Sequence, residues 1–286
     1  MTTAQAFHDY IRGLELKPGE QTEAQDRFQQ FQLKLQQRLH PAKGLLSGSY
    51  GRGTAIRPLH DIDTFLVLSA THSLAALSPL DCLKRVAAEL GAEYPDKQQK
   101  LQGRSVNVVL GSIGFDVVPA REIPSQANVF EIPDRTAGRW IPSNPWLHEK
   151  ICNERNDRAG GMLKPLVKAI KRWNQKAGKP VPSFLLEVIA YDALQSKPAS
   201  YSSGLSALFA FASQKLQLQQ PSCPDPAGIG RPIDEDLDAP HRTEALNRLR
   251  GAARDAARAV EMEARGDYDG ANHIWEDLLG RDFRAP

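Results

Sequence analysis

The sequence predicts an α+β protein, with a mixed β-sheet core over residues 1–145 and an all-helical second half over residues 146–286. Three observations predict it. Short runs of β-formers crowd residues 44–135, helical periodicity takes over after about 145, and 286 residues suit two structural units at roughly 150 each.

The first element is glutamine-rich but patterned. Ala24, Phe28, Phe31, Leu35 and Leu39 recur at steps of four, three, four and four, the apolar stripe of a helix that Pro41 ends. A disordered glutamine tract is the alternative. GLLSGS, DIDTFLVL, SVNVVLG and GFDVVPA read as strands, with one helix between them at 79–93. LKPLVKAIKRWNQ then reads as a helix, followed by a GKPVP turn and the helices SFLLEVIAYDALQS and GLSALFAFASQKLQ. A Pro/Gly connector, PSCPDPAGIGRP, leads to a long helix across 238–265 whose packing seam is Leu246, Leu249, Ala253, Ala256 and Val260.

Composition excludes several functions. Thirty-six basic against thirty-four acidic residues leave +2, too little for a chain coated to bind long nucleic acids, although a local patch is allowed. Cys82, Cys152 and Cys223 form no CxxC pair, and seven histidines show no HExxH or HxxxH spacing, so neither disulfides nor zinc is predicted. No apolar run approaches the ~18 residues of a membrane span. The N-terminus lacks the basic start and apolar stretch of a secretory leader, so the predicted location is cytoplasmic.

The chemistry concentrates in Gly48-Ser49-Tyr50-Gly51-Arg52-Gly53-Thr54 and, beyond it, Asp61-Ile62-Asp63. Three glycines within six residues let backbone N–H groups converge on an anion, and Ser49 adds a hydroxyl. The GK[ST] ending of a P-loop is absent. Asp61 and Asp63, two apart on a strand, project from one face, where a divalent cation would neutralise them; two solvated acids are the plainer reading. Asp116 lies within an apolar β-run, where an unpaired acid is expensive. An arginine partner would explain it. So would convergence with Asp61 and Asp63, since three aspartates from two strands can hold two metal ions. Lys164, Lys168 and Lys171 fall at i, i+4 and i+7, one helix face suited to a triphosphate or simply to solvent.

On these residues the chain resembles the polymerase-β-type nucleotidyltransferase superfamily. With KRWNQ…PSFLLEVIAYDAL and the closing WEDLLGRDF, it resembles within that superfamily the cGAS/DncV-like nucleotidyltransferases, bacterial relatives of cyclic GMP–AMP synthase and oligoadenylate synthase. The resemblance implies a nucleotidyltransferase core, braced by the N-terminal helix, and a helical domain that completes a cleft for ribonucleoside triphosphates. It implies two Mg²⁺, or Mn²⁺ in their place, on Asp61, Asp63 and Asp116, with Gly48, Ser49 and Lys171 on the triphosphate, and Lys168 is a further nucleotide-binding candidate from the lysine face. Ser183 matches a phosphate-holding position and Phe184 a base-stacking one, where the oligoadenylate enzymes carry tyrosine. Ser183 also reads as a helix N-cap and Phe184 as core, and Tyr50 and Tyr201 are further stacking candidates. Asp116 is the expected acceptor of the attacking hydroxyl's proton.

The implied product is a cyclic di- or trinucleotide second messenger of bacterial anti-phage defence, made with release of pyrophosphate. The implied partners are nucleotide substrates and regulatory or effector proteins that the sequence does not identify. The animal DNA sensor's His/Cys zinc insertion has no counterpart, so no long DNA or double-stranded RNA activator is expected. Two alternatives stay open: transfer to an RNA 3′ end, a protein or a small molecule, and an inactive nucleotide-binding module.

Overall fold

The computed structural model describes residues 1–218 and 221–283. In chain order its elements are α1 (Thr3–Leu14), α2 (Pro18–Leu39), β1 (Lys43–Ser47), α3 (Gly48–Gly51), β2 (Asp61–Leu68), α4 (Pro79–Glu93), β3 (Gln99–Leu101), β4 (Val106–Leu110) and β5 (Ile113–Glu122). There follow β6 (Phe130–Asp134), β7 (Arg139–Ser143), α5 (Pro145–Arg158), α6 (Leu163–Lys176), α7 (Ser183–Ala193), α8 (Tyr201–Gln217), α9 (Ala239–Ala264) and α10 (Tyr268–Leu279). They divide into a sheet unit, Leu16–Glu149, and a helical unit, Met1–Glu15 with Lys150–Pro286.

In the sheet unit the strands run in the order β1-β2-β5-β4-β3, with β6 on β5 and β7 on β6. Only β2 and β5 pair in parallel, so the sheet is mixed. Period-two alternation sorts β2: Ile62, Leu66 and Leu68 enter one core, Phe65 and Val67 another on the opposite face. The apolar stripe of α2 is its buried set, and Phe31 stacks on Phe115 at 4.4 Å between ring centroids, so the glutamines are left outward. Strands β3, β6 and β7 escape the periodicity reading because they are short, and Pro133 and Pro142 interrupt two of them.

The helical unit takes the first fifteen residues, which the 1–145 division assigns to the core. The cause is long-range. Phe7 of α1 is fully buried and meets Trp275 and Phe283 edge-on, both at 4.9 Å, partners from the far end of the chain that local periodicity does not reveal. The seam of α9 is also rotated from its expected place. Arg242, Ala245, Leu249, Ala252, Ala256 and Ala259 are buried, while Leu246, Ala253 and Val260 lie at its margin. Small alanines let backbones approach closely, which ranking by hydrophobicity undervalues.

Arg242 tolerates burial because Asp234, with 0% exposure, accepts from its Nη2 at 2.9 Å. Asp234 also accepts from the Ser222 and Cys223 amides, which pins the Pro/Gly connector. Cys82, Cys152 and Cys223 are buried, and none of them is in a disulfide. Among the described residues, no helix is long and apolar enough to cross a membrane.

Candidate active site

Strand pairing draws one polar row across the sheet unit. Ser47 of β1 is in register with Asp63 of β2, Asp63 with Asp116 of β5, and Asp116 with Asn107 of β4. In-register neighbours share a face, so the two aspartates point the same way, and Asp61 lies two residues from Asp63 on that face. Asp61 is exposed at the strand's start; Asp63 and Asp116 are half-buried.

Two glycines make room for the carboxylates. Gly48 has φ +65°, and a Cβ there would overlap the Asp63 carboxylate. Gly114, in register with Asp61, plays the same part: a Cβ would overlap the Asp61 carboxylate and come within 3.0 Å of Asn107 Nδ2. Gly48 was legible in the glycine-rich turn. Gly114 was not, because its meaning depends on register.

Asn107 is the other residue that sequence reasoning missed. Its Nδ2 donates to Asp116 Oδ1 at 2.9 Å. A polar residue within the otherwise apolar run VNVVL was its only signal. Burial pushes the Asp116 carboxyl up to about 6; the Asn107 bond opposes the shift, and the charges of Asp63 and Asp61 add to it. Asn107, rather than an arginine, is therefore the partner of Asp116.

These acids suit a hard divalent cation, since carboxylate oxygens on one face carry charge that such an ion neutralises. Among the described residues, no three His, Cys, Asp or Glu side chains are gathered tightly enough to form a cage as they stand. Asp63 and Asp116 stand in register with Asp61 on the same face, as neighbours and not as a closed set.

The glycine-rich turn begins as the short α3, and its far side is locked where the Thr54 and Ala55 amides donate to the Ser49 carbonyl at 2.8 and 3.0 Å. Tyr50 donates from its hydroxyl to the Gln21 carbonyl at 3.4 Å and packs on the α2 side of the core, a structural use of that ring. Beside Gly48 lies a pocket of about 370 Å³, mouth included, lined among others by Leu45, Ser47, Arg52, Trp146 and Glu149.

The remaining expected residues belong to the helical unit. Lys164 donates to Asn153 Oδ1 at 2.6 Å, Lys168 pairs with Glu15 at 3.3 Å, and Lys171, buried, pairs with the buried Glu187. The row of ammonium groups expected from spacing thus exists, but each has an acceptor within the unit. Periodicity reports which residues share a face, not which acceptors other helices bring to it. Ser183 is exposed and is the first residue of α7; the N-cap is Pro182, which corrects the capping role expected of Ser183. Phe184 is half-buried against the helical core, as is Tyr201 at the start of α8.

Residues 1–156 match the family model described as the Second Messenger Oligonucleotide or Dinucleotide Synthetase domain. The chain is 28% identical over 258 residues to a cyclic AMP-AMP-AMP synthase of Acinetobacter sp., a match covering 83% of this chain and 71% of that protein. Among solved structures it is similar to Escherichia coli MS115-1 CdnC in a complex with HORMA-deltaN, with a TM-score of 0.78 at 18% identity, covering 99% of this chain and 98% of that one. It is equally similar to GTP-bound Vibrio cholerae DncV, with a TM-score of 0.78 at 13% identity, covering 99% of this chain and 96% of that one.

Proposed function

The chain belongs to the second-messenger oligonucleotide or dinucleotide synthetase family, and on that premise we propose that it synthesises a cyclic di- or trinucleotide from ribonucleoside triphosphates in bacterial anti-phage defence. The observation that carries this reading is the register of β2 and β5, which sets Asp63 beside Asp116 with Asp61 on the same face, in room that Gly48 and Gly114 leave open.

In the proposed reaction a ribose hydroxyl of the acceptor attacks the donor's α-phosphorus. A new P–O bond forms, the bond from the α-phosphorus to the bridging oxygen breaks, and pyrophosphate leaves with that electron pair. Asp116, in register with Asp63 and on the same face, is assigned as the acceptor of the hydroxyl proton. The last transfer, the second for a dinucleotide and the third for a trinucleotide, is within the linear product and closes the ring, again releasing pyrophosphate. Divalent metal is the general cofactor of such transferases. We assign it to Asp61, Asp63 and Asp116 as two Mg²⁺ ions, or Mn²⁺ in their place; when bound it lowers the hydroxyl's pKa and neutralises the leaving group. Gly48 and Ser49 are assigned to the triphosphate. In the helical unit, Lys168, Lys171 and Ser183 are assigned to phosphate and Phe184 to the base.

The solved relatives include one complex with a nucleotide and one with a second protein, which supports nucleotide substrates and a regulatory protein partner for this chain. Incubation with all four ribonucleoside triphosphates and Mg²⁺ or Mn²⁺ tests the reading. After digestion with phosphatase and a 3′–5′-specific nuclease, mass spectrometry should find a surviving cyclic product. Nucleotide appearing only on an added RNA, protein or small molecule would replace this reading with a transferase of other acceptors.

A further inference from the structure

We propose that Asn107 is a positioning residue for Asp116, holding one carboxylate oxygen so that the other is presented to the divalent cation and the reacting hydroxyl. The inference rests on the nucleotidyl-transfer reading above and extends it to a residue that makes no contact with the reacting atoms itself.

Three observations lead to it. Asn107 is in register with Asp116 and gives it a 2.9 Å hydrogen bond from Nδ2 to Oδ1. That amide occupies space kept clear by Gly114, where a Cβ would come within 3.0 Å of Nδ2. And asparagine is a poor strand residue, here placed inside β4 between Val106 and Val108, both fully buried. Sheet stability does not call for it.

The residue type follows from what the position needs. Asp116 shares its face with Asp63 and Asp61, and an unanchored carboxylate would rotate away from like charge. A lysine or arginine at 107 would anchor it but cancel the charge a cation requires. An aspartate would add repulsion, and an apolar residue would leave Oδ1 without its donor. A short neutral donor meets all three demands, and Asn107 is one. Hydrogen bonds of this kind to ligating carboxylates orient them and tune the ion they hold.

The test uses the full chain with Asn107→Leu, which keeps the volume and loses the donor, and Asn107→Gln, which keeps a neutral amide donor. Mn²⁺ binding without nucleotide is followed through the electron paramagnetic resonance signal of free Mn²⁺, alongside kcat, KM and melting temperature. Asn107→Leu should raise the Mn²⁺ Kd by about tenfold or more and lower kcat, with KM for nucleotide nearly unchanged. Asn107→Gln should recover most of both. Parental Mn²⁺ binding and kcat in Asn107→Leu overturn the proposal, as does equal impairment of the two variants with a matching fall in melting temperature. Asp61→Ala with Asp63→Ala serves as the reference. Unchanged Mn²⁺ binding there overturns the metal reading underneath, whereas loss there with parental binding in Asn107→Leu overturns the role of Asn107 alone.

Discussion

Gly48 and Asp63 occupy one volume: the backbone at Gly48 turns through φ +65°, and the Asp63 carboxylate fills the space where a side chain on that residue would begin. The glycine-rich turn and the strand aspartate are thus one structural unit, although fourteen residues of sequence part them. A chain that folds this way has reserved the carboxylate's position through the absence of a methyl group.

Gly48→Ala is therefore expected to do two things. The left-handed backbone costs an alanine on the order of 1–2 kcal/mol, and the displaced carboxylate costs activity beyond that. A shift of about 1 Å in a reacting group lowers rates by roughly 100-fold. Pyrophosphate release should fall by about that factor while the melting temperature drops by several degrees. Parental turnover would show that Asp63 keeps its place without help from the turn.

Asp61→Ala with Asp63→Ala should abolish pyrophosphate release and leave the fold intact. Asp61 is exposed, and removing both charges relieves Asp116 of two like neighbours. Circular dichroism and the melting temperature should match or exceed the parent. Retained turnover in this variant would remove the three aspartates from the mechanism.

Much of this arrangement was legible in the sequence, and what was not has a common cause. The stripe of α2, the two aspartates of β2 and the glycine turn each lie within one local pattern, so periodicity or spacing exposes them. Gly114 and Asn107 acquire meaning only when β5 pairs with β2 and β4, and no local window contains that pairing. The docking of α1 on Trp275 and Phe283 and the acceptors of the three lysines are hidden for the same reason. In α9 the failure was different: the periodicity was right, but close packing selected alanines over larger neighbours.

The raised carboxyl of Asp116 sets a pH dependence in the metal-free protein. Its folded pKa of about 6 lies above the ordinary aspartate value of 3.8, so the folded state binds the proton more tightly than the unfolded one. That contribution is fully present below the unfolded value and is lost as pH rises through 6. With chelator and no nucleotide, stability should fall between about pH 4 and 7, by on the order of 2 kcal/mol from this group. Asp116→Asn should flatten that slope, and Mg²⁺ should raise the parent's melting temperature more at pH 7 than at pH 5. A parent slope identical to that of Asp116→Asn, measured by urea unfolding, would count against the burial of this charge.

Lys171 and Glu187 allow structural and functional roles to be separated. Both side chains are buried and paired, so removing one takes the opposite charge away from the other inside the helical unit. Lys171→Met or Glu187→Leu alone should each cost about 3–5 kcal/mol. Replacing both with apolar residues of similar volume is close to neutral for such pairs, so Lys171→Met with Glu187→Leu should recover most of the lost stability. If Lys171 also contacts the triphosphate, that recovered protein should still turn over poorly, with a raised KM for nucleotide. If the pair is purely structural, activity should return together with the melting temperature. Urea unfolding alongside steady-state kinetics on the three variants decides between these outcomes, because only a phosphate contact leaves a stable protein with impaired binding.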